Sequence, residues 1–281
     1  MRWSLNQLTY ANIMRHITLL FFLFALITPA TLSAKETNPL VASEAEVALL
    51  IPDEDDIIHQ TLSTSSPYYY TNLLLKYRNG TEPLTDLEYH YLYYGFMYQE
   101  EYRPFAENTA LDRMLLVMAG INPDQPTVMQ LEALIENGVA AMEIDPFNPK
   151  VLNMMAYAYG ALEDPKREQL YYNHLNGILS TIERSGTGLK ESDRWHVLMF
   201  SHAYDLLASK GYAYNESRII SREAMFVPIV QRPKERIKGF YFDYSRIYRN
   251  KPDDVTFKRD RTWQFNNLKP QEYKSRYWVR R

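Results

Sequence analysis

The chain has no cysteine, so a nucleophile, base or metal ligand has to come from histidine, carboxylate or hydroxyl side chains. Past the first fifty residues the histidines are His59, His90, His174, His196 and His202. No two of them are three or four residues apart, the spacing that puts two zinc ligands on one helical face. His196 and His202 straddle the boundary between an apolar run and a short helical stretch, with Asp193 and Asp205 nearby in sequence and Asp243 closing a later aromatic run. Asp193, His196, Asp205 and Asp243 are therefore the candidate catalytic set, a general base with carboxylates to orient it. Their chemistry would be hydrolysis of an envelope or dietary polymer. An acid at the end of a strand is more often a turn residue, and histidines are more often packed or solvated than catalytic.

Sequence motifs for other reactions are missing. The chain contains no Gly-x-Ser-x-Gly elbow, no His-Glu-x-x-His zinc helix and no Gly-x-x-x-x-Gly-Lys phosphate loop. Ser185-Gly186-Thr187-Gly188 could cradle an anion if it opened a helix, but it follows the expected end of one and reads as a flexible linker. Glu88 and His90 are two apart on a helix and do not face each other. The acids Asp53 to Asp56 lack the alternating ligands and turn glycine of a calcium loop. No metal and no cofactor is expected.

The elements that would position these residues follow from periodicity. Residues 1–34 read as a secretory signal: Arg2 and Arg15, the apolar run Ile17 to Ile27, then small residues that allow cleavage after Ala30, Ser33 or Ala34. The apolar run is too short to span a bilayer, so no permanent membrane anchor is expected once the signal is cleaved. Residues 35–66 carry six acids and no base between Ala42 and Ile57, which predicts a solvated acidic arm with one short helix at Glu44 to Leu50.

From Pro67 the pattern is helical. Tyr70, Leu73, Leu74 and Tyr77 share a face ended by Asn79-Gly80, and Thr85 with Glu88 forms a capping box ahead of an apolar, tyrosine-rich helix to Tyr98. A helix is predicted over Leu111 to Ala119, and another carries Val128, Leu131, Leu134, Ile135, Val139 and Met142 on one face. Asn148 as cap with Pro149 starts the next, to about Leu162, and its partner runs from Pro165 to about Arg184.

These last helices resemble tetratricopeptide repeats, in which helix pairs stack to bury one another's apolar faces. Ala141 and Pro146 sit at the small and closing-proline positions, and Leu152, Met155, Ala156 and Tyr159 repeat the spacing of the first repeat helix. The resemblance covers about one repeat and a half and departs near Glu168, where a small residue is expected. The tyrosines of this helix pair, Tyr157, Tyr159, Tyr171 and Tyr172, are the candidate binding residues.

After residue 188 the pattern changes. Trp195 to Phe200 reads as a strand and Ala203 to Ser209 as a short helix. Ile219-Ile220, Phe226 to Val230 and Phe240 to Tyr244 then predict a small antiparallel sheet. Between Val230 and Arg281 there are fifteen Lys and Arg against six Asp and Glu, interleaved with Phe257, Trp263, Phe265, Tyr273, Tyr277 and Trp278. Such a tail could meet an anionic surface. In an exported protein it more simply lies across the acidic remainder, and no nucleic-acid partner is expected.

The motifs Ser185 to Gly188, His196-Val197, Tyr204-Asp205-Leu206-Leu207, Gly211, Gly239-Phe240-Tyr241-Phe242-Asp243 and Ile247-Tyr248 occur in an order that resembles a family of secreted bacterial proteins described only as a domain of unknown function. Tyr91-Leu92-Tyr93-Tyr94-Gly95-Phe96 resembles that family's N-terminal signature. The resemblance implies a secreted or periplasmic location and no particular activity.

The expectation is an α+β protein: a helical, repeat-like domain over 67–184, a small α+β domain over 185–250 and a basic aromatic tail over 251–281. Its expected role is non-catalytic binding of a protein or peptide partner in the cell envelope.

Overall fold

The computed structural model describes residues 48–221, 223–230 and 237–250. The expected signal, the start of the acidic arm and the basic tail lie outside these residues. Nine helices and four strands occur among the described residues, with the helices first and the sheet at the C-terminal end, an α+β arrangement.

The acidic segment is more structured than its charge suggested. Ala48 to Leu50 are not helical, but α1 runs over Glu54–Leu62. The carboxylate of Asp53 accepts the backbone N–H of Asp56 at 2.9 Å, and Glu54, Asp55 and Asp56 fill the first turn. Negative charge at a helix N-terminus opposes the free N–H dipoles, so this run favours a helix where a bare count of acids favours coil. Ile57 then anchors the helix in the core.

Helix α2 (Tyr70–Asn79) ends at Gly80, whose φ of 59° suits glycine. Both halves of the capping box form at α3 (Asp86–Gly95), which is buried on nearly all sides from Tyr89 onward. Helices α4 (Thr109–Ala119), α5 (Val128–Ile144), α6 (Pro149–Ala161) and α7 (Pro165–Glu183) pack each against the next. Thr127, Asn148 and Asp164 cap the last three, with proline at the start of α6 and α7.

The sheet holds β1 (Trp195–His196), β2 (Arg218–Ile219), β3 (Ala224–Pro228) and β4 (Gly239–Asp243) in the order β1-β4-β3-β2. It is mixed, where an antiparallel sheet was expected: β1 pairs parallel with β4, Trp195 opposite Phe242 and His196 opposite Asp243. The chain between them includes helix α8 (Phe200–Ser209), a connection long enough for a parallel crossover. Helix α9 (Ser245–Arg249) follows β4.

The expected strand from Trp195 to Phe200 stops after His196. Beyond it the backbone of Leu198 bonds to tyrosine hydroxyls, its N–H to Tyr93 at 3.1 Å and its carbonyl accepting from Tyr102 at 2.7 Å. With both groups satisfied, no ladder partner is needed. Ser185 to Gly188 is likewise no free linker. The Ser185 hydroxyl accepts His196 N–H at 2.8 Å, the Gly186 carbonyl accepts Trp195 Nε1–H at 2.9 Å, and the Gly188 carbonyl accepts Tyr241 N–H at 2.7 Å.

One apolar core runs from Ile57 through Tyr93 and Phe147 to Trp195, Phe242 and Ile247, so it crosses the boundary expected at 185. A second fills the α4 to α6 layer around Met114, Leu134 and Met155. Buried tyrosines lose their rings to these cores and spend their hydroxyls on the backbone: Tyr77 donates to Pro146 O at 3.0 Å and Tyr94 to His196 O at 3.1 Å. No helix of the described residues is long and apolar enough to cross a membrane.

Candidate binding cleft

The four candidate catalytic residues fall into separate groups. His196 and Asp243 meet across β1 and β4, with His196 Nδ1 at 3.9 Å from Asp243 Oδ1. That same Nδ1 accepts Arg246 Nη1–H at 2.8 Å, which places the ring proton on Nε2. Desolvation, reinforced by the Arg246 charge, pushes the His196 pKa down to about 4. Asp243 is occupied by Arg194 at 3.1 Å and by the N–H of Ser245 at 2.9 Å. The Asp193 carboxylate accepts the Thr187 hydroxyl in the turn before β1. Asp205 belongs elsewhere, 3.4 Å from Lys150, with its carboxyl pKa raised by burial.

His202, close to Asp205 in sequence, finds its partners elsewhere. His202 Nε2 is 3.0 Å from Asp145 Oδ2, and its Nδ1 is 2.8 Å from the Tyr93 hydroxyl. One tautomer satisfies every atom: Nε2–H donates to Asp145, Tyr93 donates to Nδ1, and the Tyr93 oxygen accepts from Leu198. His202 and Tyr93 are at most 1 % exposed and Asp145 is 5 % exposed, so this Asp–His–Tyr chain is buried and holds α3, the α5–α6 turn and α8 together. Among the described residues no three His, Asp or Glu side chains gather as a metal site.

The expected binding tyrosines also divide. Tyr159 and Tyr171 stack at 5.4 Å with nearly parallel rings, and the Arg167 guanidinium lies 5.2 Å over Tyr159. Tyr157 is half-buried with its hydroxyl unpartnered among the described residues, and Tyr172 is exposed. Of the four, Tyr171 lines a depression.

A larger concavity lies beside it. The 80–86 connection between α2 and α3 forms one wall of a cleft of about 720 Å³, and a stripe of α7 forms the other. Residues 166, 169, 173, 176 and 180 recur at helical spacing along that stripe and present Lys, Gln, Asn, Asn and Ser. Tyr89 and His174 make the floor. His174 Nε2 donates to the Tyr77 carbonyl at 2.9 Å, so its Nδ1 accepts the Tyr89 hydroxyl, also at 2.9 Å. Burial lowers the His174 pKa to about 4 and raises that of Tyr89, so the floor is neutral.

Gly177 lets α3 and α7 approach this closely, since a Cβ there would strike the Tyr89 ring. Across Leu170 and His174 the cleft adjoins a second pocket of about 310 Å³, walled by Tyr77, Val139, Met142 and Tyr171.

A family model for a domain of unknown function, DUF4919, matches residues 55–252. The chain belongs to the DUF4919 family. No curated protein and no solved structure matches it. The match to DUF4919 spans the motifs from Tyr91 to Tyr248 and includes every residue of the cleft. Sequence reasoning about this DUF4919 chain missed Tyr89, Asn173, Asn176 and Gly177 as site residues. The available signal was Gly177 itself, a glycine inside a helical pattern that marks a close approach.

Proposed function

We propose that the chain is a non-catalytic binding protein that works outside the cytoplasm and takes a protein or peptide partner in the cleft between residues 80–86 and α7. The observation that carries this reading is the combination of a large open concavity and a wall of exposed amide and hydroxyl side chains above a neutral, internally satisfied floor. Polar groups that face a cleft and are not spent on the fold are the usual source of ligand orientation. The hydrolytic alternative has less support. The His196 nitrogen facing Asp243 already accepts from Arg246, and Asp205 sits with Lys150.

The absence of cysteine from the sequence makes a direct test simple. A benzophenone attached to Asn176→Cys is irradiated with envelope proteins, and the same label on Leu116→Cys, which is 74 % exposed on α4, is the control. An adduct at position 176 and none at 116 is expected. Equal adducts at both positions, or none at 176, would reject the cleft as the binding face.

A further inference from the structure

We infer that the cleft recognises the main chain of an extended peptide through the side-chain amides of Gln169, Asn173 and Asn176, and seats one large apolar side chain in the adjoining Tyr77–Tyr171 pocket. This inference rests on the binding reading above and narrows its ligand to one chemical class.

A primary amide carries a donor and an acceptor on one planar group, which is also what a peptide unit presents. Side-chain amides therefore bond main chain without regard to its side chains. Gln169, Asn173 and Asn176 are exposed along one stripe of α7. At about 1.5 Å of rise per helical residue they are separated by about 6 Å and 4.5 Å along the axis. An extended chain repeats its orientation every two residues, about 6.6 Å, a comparable step.

The row is also partly set. Gln169 Nε2 donates to Asn173 Oδ1 at 2.8 Å, which leaves the Asn173 NH₂ and the Gln169 oxygen free to meet a ligand. Asn176 has no side-chain partner among the described residues. The charges at the cleft are of both signs, Glu82 on one wall and Lys166 on the other, with Asp86 tied to Arg184, so no single sign of ligand charge is favoured.

The neighbouring pocket supplies the selectivity that a main-chain reader lacks. It shares Leu170 and His174 with the cleft, so one ligand can enter both. Its volume of about 310 Å³ lies at the lower end of small-molecule sites and suits a single aromatic or branched side chain. The walls offered by Tyr77, Val139, Met142 and Tyr171 are apolar or aromatic, while the exposed Arg78 and Glu143 also line the pocket. The Tyr77 hydroxyl is already spent on Pro146 O, so it makes no competing polar demand.

The test is a positional-scanning library of acetylated, amidated fluorescent hexapeptides, read by anisotropy with the full chain. One position should select Phe, Tyr, Leu or Met and the others should tolerate any residue. N-methylating the peptide bonds beside that anchor should weaken binding about tenfold, the loss of one or two hydrogen bonds.

Asn173→Ala with Asn176→Ala should weaken every peptide by a similar factor and leave the anchor preference intact. Val139→Glu should abolish the preference. All three positions are exposed, so folding is preserved. Equal binding of N-methylated peptides, or unchanged affinity in the asparagine double variant, overturns the inference. So does a library with no binder. In that case an adduct at Asn176→Cys still upholds the binding reading, whereas its absence ends both.

Discussion

His202 lies in sequence close to His196 and Asp205, yet its bonds to Asp145 and Tyr93 are those of a buried strut. Replacing it by Leu leaves the Tyr93 hydroxyl proton without its acceptor and Asp145 Oδ2 with Asn148 as its remaining donor, and His202→Leu should cost about 2 kcal/mol in urea unfolding. A loss under about 1 kcal/mol would mean that the network relaxes without it.

Three other imidazoles, His90, His174 and His196, are held by burial at a pKa of about 4, below the value of about 6.5 for a free side chain. Between these two values the unfolded chain binds protons that the folded chain refuses. The stability they contribute is therefore complete above pH 6.5 and is lost as pH falls toward 4. His90 is the cleanest probe, because its Nδ1 has no partner among the described residues. His90→Phe should make the pH dependence shallower and leave the variant about 2 kcal/mol better placed at pH 5, relative to wild type, than at pH 7. Parallel unfolding curves at the two pH values would show that His90 does not titrate in this way.

Helices α3 and α7 meet through a glycine, and their contact sets the depth of the cleft. A methyl at Gly177 drives into the Tyr89 ring, which is pinned by its bond to His174. A methyl at Gly138 meets the flexible ends of Met155 and Met114, which can move aside. Gly177→Ala should thus cost about 1–3 kcal/mol through overpacking. Gly138→Ala should cost less, because its methionine neighbours can yield, whereas the helix preference of alanine, about 0.5–1 kcal/mol, favours both variants alike. Comparing the two thermal midpoints checks this, and a more stable Gly177→Ala would remove the steric account of the cleft.

The two ends of the described chain are locked together. Arg246, 5 % exposed, donates to the Pro52 carbonyl at 3.0 Å and to His196, and lies 5.5 Å over the Tyr94 ring. Arg184 holds the same N-terminal segment through the Ala48 carbonyl at 3.1 Å, and Leu50 N–H donates to Arg184 O. Arg246→Met keeps the packing volume but leaves the Pro52 carbonyl unmet. The segment from Ala48 to Leu62 should then be clipped faster in limited proteolysis while α3 to α8 stay protected. Unchanged cleavage would mean that Arg184 suffices.

Local order was written plainly in the residues. The capping box at Thr85, Asn148 before Pro149, and the stop at Gly80 rest on near neighbours in the chain, so they mark helix ends without reference to tertiary contacts. The box at Thr127 is a further local signal of the same kind, which sequence reasoning missed. The α+β division and the family motifs followed from such local signals. The partners of the histidines did not, because Asp145 and Tyr93 lie 57 and 109 residues from His202 and no periodicity connects them. The parallel pairing of β1 with β4 and the early end of β1 likewise depend on hydroxyls and strands brought in from far along the chain. The cleft is the extreme case: its walls are ordinary polar surface in sequence, and they become a concavity where Gly177 lets α7 close on Tyr89, a contact between residues 88 positions apart.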